Sequence, residues 1–179
     1  MCLVILDRDG VINQDSAQYI KSPAEWHALP GSLSAITQLN RAGAKVAVAT
    51  NQSGIARGLF DTSTLDAIHT KMQTALAAVG GHIDYLVYCP HGPEANCACR
   101  KPEPGLYHQI AMHFGCSLNN VPVVGDSPRD LAAAERVNAH PVRVLTGKGK
   151  QTAQAPAWAH TPAFANLQQA IPYLLEQIT

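Results

Sequence analysis

The sequence predicts an α/β domain: a doubly wound parallel sheet flanked by helices. Two patterns carry that prediction. Short apolar runs rich in Val and Ile alternate with longer amphipathic stretches, the order that builds successive βαβ units. Polar motifs then follow the runs, with DRDG after CLVIL, TNQSG after KVAVA, CPHG after DYLVY and GDS after VPVV. Open parallel sheets bind ligands outside the carboxyl ends of their strands, so the four motifs are expected to share one site.

Strands are expected over 2–6, 45–49, 84–89, 121–124 and 141–145. Most are continuously apolar, as strands covered on both faces are. The stretch 32–41 carries Leu33, Ile36 and Leu39 at helical spacing and ends at Gly43, a helix stop signal. A second helix over 63–79 places Leu65, Ile68, Met72, Ala75, Leu76 and Val79 on one stripe, opens with a Ser63/Asp66 capping box and stops at Gly80-Gly81. Two more are expected over 105–114 and 129–137. The tail from 164 to 178 is helical in pattern, but Pro172 is expected to break or kink it. The polar, Pro-bearing stretch 147–162 reads as a surface loop.

With 179 residues the chain fits one domain, 1–179, with a sizeable core. Thirteen basic residues balance thirteen acidic ones. That argues against a duplex-DNA or anionic-membrane partner, since both are met with basic excess. No segment approaches the roughly 18 consecutive apolar residues of a membrane span. The start MCLVILDRDG lacks a basic n-region and its apolar run stops at Asp7, so a cytoplasmic, monomeric protein is expected.

Four motifs carry chemistry. Asp7 and Asp9 share a face if the strand's period of two persists past Leu6. Two such carboxylates are tolerable beside a divalent cation, and Mg2+ suits a site of few carboxylates plus phosphate oxygens; alone, DxDG also reads as an Asp-Gly turn. In ATNQSG the Thr50 hydroxyl ends a buried strand, and a tight polar turn follows that can cradle phosphate oxygens or cap a helix. A cation of Arg100-Lys101 can offset charge on a phosphoryl group in flight, although paired basic residues also occur on solvated faces. Asp126 in GDSPRD can complete the metal site begun by Asp7, while Asp130 is read as favouring the positive end of the next helix.

DRDG, ATN, a Lys before Pro-x-Pro-Gly, and GDSPRD, in that order, resemble the four motifs of the haloacid dehalogenase (HAD) superfamily phosphatases, and span Asp7 to Asp130. The resemblance implies a HAD-like Rossmannoid sheet. It also implies Asp7 as the nucleophile that becomes an aspartyl-phosphate, and Asp9 as the acid and base. Thr50 and Lys101 would hold the phosphoryl group, with Mg2+ on the Asp7 side chain, the Asp9 backbone carbonyl and the Asp126 side chain. The roles agree with independent chemistry, since a carboxylate nucleophile splits one hard step into two and a second carboxyl can donate and then accept a proton.

Three of the five cysteines lie in CPHGPEANCAC, 89–99. Cys89, His91, Cys97 and Cys99 make a Cys3His set for structural Zn2+, closed to further ligands. Clamping Cys97 and Cys99 fixes the backbone just before Arg100-Lys101, and fixed cations make better phosphate clamps. Cys2 and Cys116 read as buried or incidental thiols.

A CxH…CxC loop before RKP resembles the heptose 1,7-bisphosphate phosphatases and the related histidinol-phosphate phosphatases, which have little or no cap domain. DRDGVIN, TNQSGIARG and CRKPxPG together favour the heptose enzymes. In that family the C7 phosphate is removed on the way to lipopolysaccharide or S-layer heptose. The substrate's second phosphate needs a cationic contact, for which Arg57 and Arg100 are the candidates and Lys148 and Lys150 weaker ones. Asp15, Tyr19, Asn51, Gln52 and Ser53 are candidates for sugar contacts. Histidinol phosphate, a DNA 3′-phosphate and a non-catalytic zinc-stabilised module are the alternatives. The first lacks a marked acidic contact, the second lacks a basic-aromatic patch, and the third predicts loss of a motif residue that is present.

Overall fold

The computed structural model describes residues 2–178. Six strands form one parallel sheet: β1 (Leu3–Leu6), β2 (Lys45–Asn51), β3 (Tyr85–Cys89), β4 (Pro122–Gly125), β5 (His140–Val144) and β6 (Ala163–Phe164). Their order is β3-β2-β1-β4-β5-β6. The chain winds outward from β1 through β2 to β3, then returns to the other side of β1 for β4. That reversal makes the β1/β4 junction the topological switch point, where such sheets bind ligands.

Alternate residues of each strand enter two separate cores. Val4, Leu6, Val46, Val48 and Val124 face α1 (Ser32–Arg41), α2 (Thr62–Ala78) and α6 (Leu167–Ile178). Leu3, Ile5, Ala47, Ala49 and Val123 face α3 (Gly105–Phe114) and α4 (Pro128–Glu135). Burial on both faces explains why the strand sequences are apolar without alternation. No helix among the described residues is long and apolar enough to cross a membrane.

Several expectations need correction. The α2 helix is capped by Asp61, whose side chain accepts from the Thr64 backbone N–H, not by a Ser63/Asp66 box; Asp at the N-cap satisfies an otherwise orphaned donor. Pro172 does not interrupt α6. Its ring is exposed, so the carbonyl it leaves unpaired can be hydrated. The stretch 147–162 is not a plain surface loop: it holds the short helix α5 (Gly149–Thr152) and a 3-10 turn (Pro156–Trp158), with Gly149, Thr152 and Trp158 buried. The tail opens with the short edge strand β6 before its helix. No domain is inserted between strands. The segments 7–31, 52–61 and 90–104 are irregular apart from 3-10 turns, and they surround the switch point.

Candidate active site

A cleft of about 290 Å³ opens at the carboxyl ends of the strands. Asp7, Asp9, Thr50, Asn51, Gln52, Ser53, Lys101 and Asp126 all line it, as do Asp15, Tyr19, Arg57, Arg100 and Lys148. The structure therefore brings together every candidate for phosphoryl and sugar contacts except Lys150.

Lys101 organises the floor. It is 2% exposed, with Nζ 3.0 Å from Asp7 Oδ1 and 2.6 Å from Asp130 Oδ1. The same ammonium donates to the Ala49 carbonyl at 2.6 Å. Asn51 aligns the lysine from behind, donating to the Lys101 carbonyl at 3.0 Å and accepting from the Lys101 N–H at 3.1 Å. Asp130 thus does more than complement a helix dipole. It is the N3 partner of Ser127 in a capping box and the counterion that points Lys101 into the cleft.

The cleft carries more carboxylate than it can hold charged. Burial first, then Asp130, pushes Asp7 up to about 7 against the pull of Lys101, with Asp9 adding to the rise. Burial, Asp7 and Asp130 push Asp126 up to about 8. Carboxylate oxygens of Asp7, Asp126 and Asp130 lie within 4.8 Å of one another. Since Asp130 is spent on Lys101 and Ser127, Asp7 and Asp126 are the pair left to meet a hard cation.

Asp126 is pinned from an unexpected quarter. Its carboxylate sits between Gly10 (φ +86°) and Gly147 (φ +54°), where a Cβ on either residue would collide with it. The Lys148 backbone N–H donates to Oδ2 at 2.7 Å, and Thr152 Oγ1 donates to the Asp126 carbonyl at 2.7 Å. The supposed surface loop is the buttress of this aspartate.

Asp9 is held apart from Asp7. Its carboxylate accepts two bonds from Arg8 Nη2 at 2.9 and 3.1 Å, one from Arg8 Nε at 3.1 Å, and one each from Asn13 and Gln52 at 2.9 Å. Burial opposes the anion, but Arg8, Asn13 and Gln52 together hold the carboxyl below its ordinary range. Gln52 also donates to Thr50 Oγ1 at 2.9 Å, so its amide couples the two motifs.

At the rim, Arg57 stacks over Tyr19 at 5.9 Å and Lys148 pairs with Asp15 at 3.2 Å. Arg100 Nη1 donates to the His91 carbonyl at 3.0 Å, and repulsion from Arg129 adds to the burial that lowers its pKa. Arg129 also lines the cleft; in the sequence it looked like an ordinary helix residue of GDSPRD.

Beside the rim, Cys89, His91, Cys97 and Cys99 converge. A tetrahedral ion with bonds of about 2.3 Å separates sulfur ligands by about 3.8 Å. The Sγ pairs stand at 3.1, 3.5 and 3.7 Å, and His91 Nδ1 lies 3.6 Å from Cys89 and 3.4 Å from Cys99. The four ligand atoms thus stand at or inside the spacing of such a shell. Cys2 and Cys116 are half-buried free thiols away from it.

A parallel sheet with a buried lysine and a carboxylate pair at its switch point is the framework of a HAD-like hydrolase, a phosphoric monoester hydrolase. The HAD-hydrolase-like family model matches residues 98–170. The chain is 59% identical over 152 residues to the D-glycero-β-D-manno-heptose-1,7-bisphosphate 7-phosphatase of Bordetella bronchiseptica, covering 85% of each. It is 49% identical over 174 residues to that of Pseudomonas aeruginosa, covering 97% of this chain and 98% of the relative. The crystal structure of D,D-heptose 1,7-bisphosphate phosphatase from B. bronchiseptica, complexed with magnesium and phosphate, superposes with a TM-score of 0.95 at 53% identity and covers 99% of both chains. The chain belongs to the family of heptose 1,7-bisphosphate 7-phosphatases.

Proposed function

We propose that the protein removes the C7 phosphate of D-glycero-β-D-manno-heptose 1,7-bisphosphate through an aspartyl-phosphate on Asp7, for the synthesis of lipopolysaccharide heptose. The observation that carries this reading is the Asp7–Lys101–Asp130 chain at the switch point, beside a separately held Asp9. The anomer and substrate follow the names of the relatives.

In the first step an Asp7 oxygen bonds to phosphorus as the bond to the C7 oxygen breaks. The leaving alkoxide takes its electron pair and receives a proton from Asp9. The low pKa of Asp9 makes its protonated form a strong donor, and a phosphate dianion in the cleft favours that form by like charge. In the second step Asp9 takes a proton from water, which attacks phosphorus and releases the Asp7 carboxylate. Lys101 and the Thr50 hydroxyl hold the phosphoryl oxygens throughout. Mg2+ held by Asp7, the Asp9 carbonyl and Asp126 supplies charge neutralisation for the transferring group. Four carboxylates facing only two buried cations, Arg8 and Lys101, leave room for that charge. Cys89, His91, Cys97 and Cys99 would hold Zn2+, which would fix the loop that ends in Arg100-Lys101. Arg57 and Arg100 meet the retained C1 phosphate. Asp15, Tyr19 and the 51–53 turn border the sugar. The enzyme works in the cytoplasm as a monomer, one domain over 1–179.

A phosphate-release screen with the heptose bisphosphate, histidinol phosphate and a 3′-phosphorylated oligonucleotide tests the substrate. The heptose bisphosphate is expected to show the highest kcat/KM. The highest value on histidinol phosphate would overturn the reading. Asp7→Asn is expected to abolish turnover.

A further inference from the structure

We propose that His69 of α2 is a positioning residue for Asp9, acting through Arg8. This rests on the acid–base role of Asp9 given above.

Arg8 stands between the two motif aspartates, yet its side chain turns inward and is 0% exposed. One edge of the guanidinium, Nε and Nη2, grips the Asp9 carboxylate. The remaining nitrogen, Nη1, lies 3.1 Å from His69 Nε2. A buried donor left unpaired costs about 1–3 kcal/mol, so the imidazole lone pair decides whether this orientation of the fork is tolerable. The guanidinium has only donors, so His69 Nε2 is the acceptor and the imidazole carries its proton on Nδ1; burial and Arg8 push the His69 pKa down to about 3, which keeps that lone pair free.

The placement of His69 is otherwise unexplained. It is 8% exposed on the face of α2 that carries Leu65, Ile68, Met72 and Leu76, where packing asks for an apolar side chain. It does not line the cleft, and its other ring neighbour is Tyr88, 6.3 Å away between centroids. Its polar contact is the guanidinium that orients Asp9. With Nη1 unsupported, Arg8 can swing, and Asp9 keeps only Asn13 and Gln52, one donor on each oxygen. Proton transfer needs that carboxyl within hydrogen-bond reach of the leaving oxygen.

Two substrates separate positioning from general damage. A sugar phosphate loses an alkoxide and needs the Asp9 proton, whereas 4-nitrophenyl phosphate loses a phenolate with its electron pair and needs none. Both then need Asp9 as base to hydrolyse the aspartyl-phosphate. His69→Leu is expected to lower kcat on the heptose bisphosphate by roughly 10–100-fold, part of a general acid–base contribution, with KM within twofold. On 4-nitrophenyl phosphate the same variant should give a nitrophenolate burst near one equivalent and then slow turnover. His69→Gln, whose Oε1 can accept from Arg8, should recover most of the lost kcat. If His69→Leu does not fold, His69→Asn, which stops one bond short of Arg8, should show the same burst and the same kcat loss. Wild-type kcat in His69→Leu, or burst and steady state falling together without rescue by Gln, would overturn the proposal. Unimpaired turnover in Asp9→Asn would instead show that the role assigned to Asp9 is wrong.

Discussion

Among the described residues two clusters of side chains are able to hold a metal ion, and they are held in opposite ways. Asp7 and Asp126 stand directly after β1 and β4, so the sheet itself sets their separation; Asp126, Lys101 and Asp130 are at most 2% exposed. Cys89 ends β3, but His91, Cys97 and Cys99 sit on a loop with one 3-10 turn and are half-buried or exposed. The carboxylate cluster is overdetermined by protein and short of positive charge. The thiol cluster is anchored to the α3/α4-side core through buried Cys89 and half-buried Cys97 and Cys99, but His91 and the 93–96 stretch between its ligands are exposed. A metal at the first site should tune charge in a finished framework, and a metal at the second should make the framework locally.

Lys101→Met attacks the first cluster where it is most strained. It leaves Asp7 and Asp130 buried without their shared counterion, and breaking such a pair costs about 3–5 kcal/mol. Denaturant unfolding should show that loss, and kcat should fall by roughly 10²–10³-fold, as for loss of one charge-stabilising donor. A cost under about 1 kcal/mol would mean that the sheet, and not the ion pairs, sets the cluster.

Cys99→Ser attacks the second. Metal analysis of the unmodified chain should give close to one zinc per chain, and the variant should give far less. Cys99 is only partly buried against the core that faces α3 and α4, and the exposed loop residues 93–96 and 98 lie outside both cores, so the main unfolding transition should move little while limited proteolysis cuts within 92–98. Loosening Arg100-Lys101 should lower kcat by about 10-fold or more, since small misplacements of charged clamps are costly. Global unfolding in Cys99→Ser would erase the contrast between the clusters.

The carboxylate site also predicts a pH signature. Asp7 and Asp126 have folded-state values of about 7 and about 8, above the ordinary 3.8. The folded, Mg2+-free protein therefore binds more protons than the unfolded chain. The stability from these two groups is complete below 3.8 and is lost as pH rises through about 7 to 8. Mg2+ must displace those protons, so its apparent affinity should rise by up to about tenfold per pH unit for each proton displaced, then level off above pH 8. Zinc-loaded protein titrated with Mg2+ at pH 6, 7 and 8 by thermal shift checks this. A flat profile would show that Asp7 and Asp126 are not the ligands.

What the sequence revealed follows the same division. Continuous apolar runs marked the strands because both faces are buried, and strand ends located Asp7, Thr50 and Asp126 because a parallel sheet presents those ends together. The convergence of Cys89, His91, Cys97 and Cys99 was legible because their types and spacing are local. The supporting contacts were not. Arg8 meets His69 across 61 positions, and Asn51 clamps Lys101 across 50. Asp130 looked like a complement to the positive end of the next helix, and nothing in GDSPRD announces that one oxygen closes a capping box with Ser127 while the other takes Lys101. The stretch after Gly147 read as loop because it is polar and Pro-bearing. Its contacts are long-range, with Arg143 donating to the Trp158 carbonyl, Gly147 close to Gly10 and Asp126, and Thr152 on the Asp126 carbonyl, and no local pattern encodes them.

That last contact gives the gentlest test. Thr152 Oγ1 donates to the Asp126 carbonyl at 2.7 Å and to the Lys148 carbonyl at 3.2 Å, and it is 3% exposed. Thr152→Val keeps the shape and removes the donor, which should cost about 1–2 kcal/mol because the buried Asp126 carbonyl loses its partner, while the Lys148 carbonyl keeps the Thr152 N–H. If 147–152 is the buttress of Asp126, the loss should appear in the site as well as in stability. Half-saturation for Mg2+ should rise by a few-fold while zinc content stays unchanged, because the thiol cluster shares no contact with Thr152. An equal loss of both metals would mean that the variant loosens the whole carboxyl end of the sheet, and that the two clusters are held by one framework.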